Sequence, residues 1–269
     1  MDKEQYDIMF RLEDHHWWYL GMREITSTLL SRNLNGTRSP RILDAGCGTG
    51  GMVQYLGKFG RVYGVDVAAE AMDGCRQRGL RTVSRGSIEA IPFADASFDV
   101  VVSFDVLYHQ SVIDDVRALA EFNRVLKPGG LLLIRVPAYD WLRGVHDAAV
   151  HTRHRYSRTE MRAKLAATGF RPRKLSYVNS LLFPVAATVR LTEGTHKPLK
   201  SDLEMPSPAT NWILHSILKT EAALLRHLSF RWGLSVVAVA EKRSGAAPRT
   251  PARAEPRKTG EREAVGARV

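Results

Sequence analysis

Cysteine is scarce in this 269-residue chain, with Cys47 and Cys75 the only two. Two cysteines supply neither a disulfide framework nor paired C-x-x-C metal clusters, and they suit a reducing, cytoplasmic setting. Long apolar runs are missing too. No stretch reaches the roughly 18 apolar residues of a spanning helix, and the opening MDKEQYDIMFRLEDHHWWYL scatters charge among its apolar residues, so neither a signal peptide nor a membrane span is expected. There is no internal repeat. An Asn-Pro-Pro-Tyr-like base-handling motif and an aromatic-rich basic stripe are also lacking, so a specific nucleic-acid partner is not expected.

What is present is ordinary globular composition under a basic charge. Hydrophobic residues make up 44% and charged residues 25%, enough for a sizeable core in one α/β domain with decoration. The formal net charge is +11, and residues 241–269 hold eight Lys or Arg against four Asp or Glu. The preceding chain therefore stays basic. Such a surface attracts nucleic acid, anionic headgroups and phosphorylated small molecules alike.

Residues 3–32 read as two helices interrupted near HHWWYLG, after which strands and helices alternate. RILDAG, RVYGVDV, LRTVSRG and SFDVVVSFDVL read as four strands. Met52–Lys58 and AAEAMDGCRQRG read as the helices between them. Ser111 is placed to cap a helix running to about Val125, and LKPGG turns the chain into a fifth strand, LLLIRVP. A long polar connection, a helix from Arg158 to Thr168, a strand in FRPRKLSYVNS and mostly helical residues 181–230 precede a last strand, GLSVVAVAEK. The rhythm predicts an α/β, doubly wound, mostly parallel seven-stranded sheet. Three regions are expected: an N-terminal helical cap over 1–36, a ligand-binding domain over 37–243 with a helical insertion at 181–230, and a disordered basic tail over 244–269.

ILDAGCGTG, at 42–50, is the chemically informative stretch. Glycines at 46, 48 and 50 allow a sharp turn and close approach of backbone amides to a ligand. The spacing is G-x-G-x-G, one residue tighter at its end than the dinucleotide-binding G-x-G-x-x-G. Asp66 closes the second strand, where a doubly wound sheet brings a carboxylate beside the first turn and within reach of ribose hydroxyls.

Glycine turn, acidic strand end, IPFADASFDVVVSFDVLYH and LKPGG in this order resemble the class I S-adenosylmethionine-dependent methyltransferases, including the ubiquinone-biosynthesis O-methyltransferases. The resemblance implies S-adenosyl-L-methionine as cofactor. It matches Gly46, Gly48 and Gly50 to the cofactor loop, Asp44 to an acidic position near the cofactor's amino group, and Asp66 to the ribose-binding carboxylate. Ser87 and Ile88 match positions flanking adenine, Phe104 a residue against the methionine chain, and Arg23 an arginine that pairs with the cofactor carboxylate. Each has a plainer reading: Asp44 can anchor the loop through its amides, Arg23 can be an exposed helix residue, and Phe104 can be core.

Methyl transfer from a sulfonium needs an acceptor held in line and, for a hydroxyl or amine, its proton removed. Histidine suits that task near neutral pH. His109, at the mouth of the fourth strand, is the first candidate, with His146, Asp147, His151 and His154 following between the fifth and sixth strands. His109 can equally cap the next helix. The resemblance places Asp105, Tyr108 and His109 where some ubiquinone enzymes bind a divalent metal through two acids and a histidine. A phenol replaces one acid here, so no metal is expected.

Trp17 and Tyr19 can form an aromatic lid near a cationic sulfonium, with Trp18 in the core. Arg153, Arg155, Arg158 and Arg162 are either a solvated face or partners of an anionic acceptor. LLFPVAATVRL, at 181–191, is either core or an apolar lip that admits a lipid-like acceptor or touches a membrane surface. The expected function is methylation of a small-molecule acceptor, preferably at oxygen. Its rivals are a protein that holds the cofactor without transferring methyl and an enzyme of another reaction type, such as a cyclase.

Overall fold

Every strand that pairs at the middle of this protein is apolar on both of its faces. Ile42, Val100, Val102, Leu131, Leu133, Val237 and Val239 point into one buried cluster, while their neighbours Leu43, Val101, Leu132, Ile134, Val236 and Ala238 point into another. A strand buried on two sides needs helices on both, which is the physical origin of the layered architecture. The computed structural model describes residues 3–34, 38–192 and 204–244.

One sheet holds β1 (Arg41–Ala45), β2 (Arg61–Asp66), β3 (Val83–Arg85), β4 (Phe98–Phe104), β5 (Leu126–Pro137), β6 (Phe170–Val178) and β7 (Ser235–Lys242). Their spatial order is β3-β2-β1-β4-β5-β7-β6. The first five are parallel, and β7 runs antiparallel to β5 and β6. The order reverses between β1 and β4, so a crevice opens beyond their carboxyl ends.

α2 (Trp17–Asn33), α3 (Gly51–Leu56), α4 (Ala69–Gln77) and α9 (Pro208–Leu225) cover one face of the sheet; α5 (Asp115–Val125) and α7 (Arg158–Ala167) cover the other. α2 and α9 touch closely because residue 21 is glycine: a Cβ there would run into Leu218. Ser157 and Ser207 cap α7 and α9 by accepting the Glu160 and Thr210 amides at 3.1 and 3.2 Å.

Several local expectations are revised. α5 is capped not by Ser111 but by Asp114, whose carboxylate accepts the Val116 and Arg117 amides at 2.9 and 3.0 Å. A carboxylate that accepts two amides is the stronger cap at a helix start. LKPGG joins β5 as an irregular stretch, with Leu126 paired to Phe98 and Leu131 to Val100. The polar connection after β5 contains a short 3-10 turn (Asp140–Leu142) and α6 (Val145–Ala149). At the N-terminus α1 (Lys3–Leu12) precedes α2, broken where expected. α8 (Phe183–Thr192) starts the helical insertion. The tail over 245–269 and most of the Pro-rich loop before α9 lie outside the described residues. Among the described residues no helix is long and apolar enough to cross a membrane.

Candidate active site

The turn after β1 exists because three side chains are missing. Gly46, Gly48 and Gly50 have φ of 89°, 51° and 89°, a region that costs other residues energy. Space forbids side chains as well. A Cβ at Gly46 would run into Val106, and one at Gly50 would come within 2.9 Å of the Cys75 sulfur.

Two carboxylates stand beneath this turn. Asp66 accepts the Gly48 amide at 2.9 Å and the Ala68 amide at 3.0 Å, and burial still holds its carboxyl above the usual range. Asp44, at the end of β1, is 2% exposed, and its Oδ2 has no hydrogen-bond partner. Burial first, then the neighbouring Cys75, Asp66 and Glu13, pushes its carboxyl well up. A buried carboxylate oxygen without a partner is costly unless a donor or cation arrives.

The N-terminal helices close over the turn. Met9 of α1 lies above Gly48, its Cε 2.8 Å from where a Cβ would stand. Tyr6 is buried on the same helix. Glu13, just past α1, accepts the Thr49 hydroxyl and receives Arg78 at 2.9 Å. Arg23 of α2 donates to Asp14 at 2.8 Å and to the Gly51 carbonyl at 3.3 Å.

Across the crevice, β4 and β5 end in a second charged group. Arg135 Nε donates to Asp105 Oδ2 at 2.9 Å, and its guanidinium carbon lies 5.0 Å from both the Trp18 and Phe104 rings. Asp105 has φ of 57°, an uncommon conformation that aspartate tolerates better than most residues. Its backbone sits one residue from Val106, which packs onto Gly46. The other oxygen, Oδ1, takes no hydrogen bond among the described residues. Tyr19 and Tyr108 lie near enough that Asp105, after burial, raises both phenols' pKa.

Residues 43–134 match the methyltransferase domain family. Over 151 residues the chain is 32% identical to a malonyl-[acyl-carrier protein] O-methyltransferase of Enterobacter lignolyticus, covering 55% of this chain and 59% of that protein. It is 33% identical over 128 residues to a demethylmenaquinone methyltransferase of Chlorobaculum parvum, covering 46% and 50%. The chain thus spans half to three fifths of the length of these relatives. An S-adenosylmethionine-dependent methyltransferase structure from Mesorhizobium loti shares the fold, with TM-score 0.55 and 16% identity over 81% of this chain and 98% of that one.

Residues 43–134 carry a methyltransferase domain. The residues of this methyltransferase domain fit its cofactor: a glycine cradle that side chains would fill, an unpartnered buried acid at Asp44, and Asp66 beneath the turn. Structure brings Arg23, Asp44, Gly46, Gly48, Gly50 and Asp66 together around that cradle. Phe104 stands at the end of β4 against Arg135. Ser87 and Ile88 follow β3: the Ser87 hydroxyl accepts the Glu89 amide at 3.1 Å, and Ile88 is buried in the core.

The histidines divide. His109 and His151 stack with centroids 5.8 Å apart, whereas His154 pairs with Glu160 at 2.8 Å and packs edge-on to Tyr156. His109 Nδ1 accepts the Ser111 amide at 3.1 Å, and burial, with His151 beside it, lowers its pKa to about 4. Asp147 and Arg155 form a buried pair at 2.8 Å. Among the described residues no group of three His, Cys, Asp or Glu is placed to hold a metal.

Sequence reasoning overlooked Met9, Glu13 and Arg135. Arg135 had a signal: a lone charge inside the apolar LLLIRVP must find a partner when the strand is buried. The covering role of α1 had none, because which glycine a surface helix lies over is decided by tertiary packing.

Proposed function

We propose that this protein transfers the methyl group of S-adenosyl-L-methionine to the hydroxyl of a small apolar or anionic acceptor, of quinone, lipid or natural-product type. The observation that carries this reading is a carboxylate, Asp105, presented beside the glycine turn with one oxygen uncommitted. The bound cofactor supplies an electrophilic methyl on a positively charged sulfur. Asp105 Oδ1 takes the acceptor's proton as its oxygen is methylated, and Arg135 holds the carboxylate in position through Oδ2. Trp18, Phe104, Tyr19 and Tyr108 exclude water and orient the acceptor.

His109 and His151 line the same rim and are assigned to acceptor orientation. His109 accepts Ser111's amide on Nδ1, which occupies that nitrogen's lone pair. His154 is assigned a supporting role through Glu160. One relative is named as a malonyl-[acyl-carrier protein] O-methyltransferase, which supports an oxygen acceptor, and another as a demethylmenaquinone methyltransferase, which supports a quinone-like skeleton.

The test is a panel of hydroxylated quinones, fatty acyl derivatives and phenols incubated with methyl-labelled cofactor and followed by mass spectrometry. A methylated product that wild type forms and Asp105→Asn forms at least about a hundredfold more slowly supports the reading. Cofactor binding with no labelled product on any acceptor overturns it.

A further inference from the structure

Trp141, Trp212 and Trp232 are 55%, 69% and 53% exposed, while Trp17 and Trp18 pack against the core. Nothing in the chemistry above uses the exposed three. A large aromatic left in water is uncommon enough to require a partner when it recurs, and these recur at one end of the molecule.

Connectivity and hydrogen bonds place all three at the carboxyl end of the sheet. Trp141 lies in the 3-10 turn just beyond β5. Trp232 lies two residues before Leu234, whose carbonyl accepts the Ala138 amide, and its own carbonyl accepts the Ser180 hydroxyl at 2.6 Å beyond β6. Trp212 follows Asn211, whose side chain holds the His15 carbonyl and the Trp17 amide at the start of α2, one residue from the Trp18 that covers Arg135. Leu181 and Val185, also exposed, fall between them along the chain, and Phe183 packs edge-on to Trp141 at 6.3 Å.

The same end is basic. Arg143, Arg153 and Arg231 are exposed, and Arg158 reaches over Tyr177. Against them stand Asp140, paired with Arg143 at 3.0 Å, Asp115, 3.8 Å from Arg153, Glu160, paired with His154, and the exposed Asp114 and Glu204. Arg143 and Arg231 flank Trp141 and Trp232 in sequence and give the aromatic face a cationic border. An anionic headgroup layer complements it, and indoles favour the boundary between headgroups and acyl chains.

We infer that the carboxyl-end face, through Trp141, Trp212, Trp232, Leu181 and Val185 with their arginine border, docks onto an anionic lipid bilayer. Docked this way, the crevice opens towards the lipid rather than the bulk solvent. This goes beyond the proposed methyl transfer, and its readout is independent of turnover.

The experiment is co-sedimentation of the full chain with vesicles of phosphatidylcholine, pure or mixed with phosphatidylglycerol, together with tryptophan fluorescence. Wild type is expected to bind the mixed vesicles, to shift its emission to the blue, and to bind less as salt rises. The Trp141→Ser, Trp212→Ser, Trp232→Ser triple variant is expected to partition at least about tenfold more weakly while binding S-adenosylhomocysteine as wild type does. Should that variant fail to fold, brominated lipids quenching wild-type tryptophan emission give the same answer. Failure to bind mixed vesicles at low salt overturns the inference, as does undiminished binding by a folded triple variant. A wild-type dimer that the variant dissolves, with no vesicle binding, assigns the face to a second copy and overturns it equally.

Discussion

Asp44, like Glu221, is a buried carboxyl group with one oxygen unpartnered. Its folded pKa lies well above the ordinary carboxylate value, so at pH values between the two the folded chain keeps a proton that the unfolded chain releases. Its contribution to stability therefore falls as pH rises through that window. A cationic amino group arriving beside it must drive the proton off. Calorimetric titration with S-adenosyl-L-methionine in two buffers of different ionisation heat is expected to show proton release, and Asp44→Asn to abolish it. Asp66→Ala should weaken the same binding by at least about tenfold, the loss of a charge-assisted hydrogen bond. His109 titrates in the opposite sense. Its folded pKa of about 4 lies below the ordinary 6.5, so its stabilising contribution is complete above about 6.5 and is lost as pH falls towards 4. Asn at position 109 can still accept the Ser111 amide without titrating, and its Tm should fall less steeply than wild type's over that range.

At the scale of elements, the least forgiving contact lies between α2 and α9. Gly21 leaves the room that Leu218 fills, so Gly21→Val must push the helices apart or force Leu218 out of its rotamer. The expected loss is about 1–3 kcal/mol by chemical denaturation. Because α2 also carries Trp18 over Arg135, cofactor affinity and turnover should fall together with stability. The two helices before β1 were legible as helices from the spacing of Ile8, Leu12, Ile25 and Leu29, and the break between them from HHWWYLG. What α1 covers was not legible. Met9 and Glu13 meet Gly48 and Thr49 only because the sheet brings distant segments to one end.

For the whole molecule, ligand and fold are one equilibrium. S-adenosylhomocysteine at about 100 times its Kd should add about 2.7 kcal/mol of stability, which for a domain of this size is about 5–10 °C in Tm. Thermal shift measured with and without that compound checks it, and Asp66→Ala should shrink the shift. A compound that binds elsewhere would leave the Asp66 dependence out.

Periodicity and glycine spacing determined the strand sequence, the first turn and the two acids beneath it, since backbone conformation and burial at those positions depend on local residue type. Asp105 and Tyr108 were visible as residues at a strand mouth. Only the tertiary structure decided that Arg135 would grip Asp105, that Ser111 would serve His109 rather than α5, and that three tryptophans from separate segments would share one exposed end. Those outcomes depend on which chain ends the sheet order makes neighbours. Short-range preferences act over one helical turn or one strand pair, whereas a site assembled across a crossover is fixed by burial of the whole core.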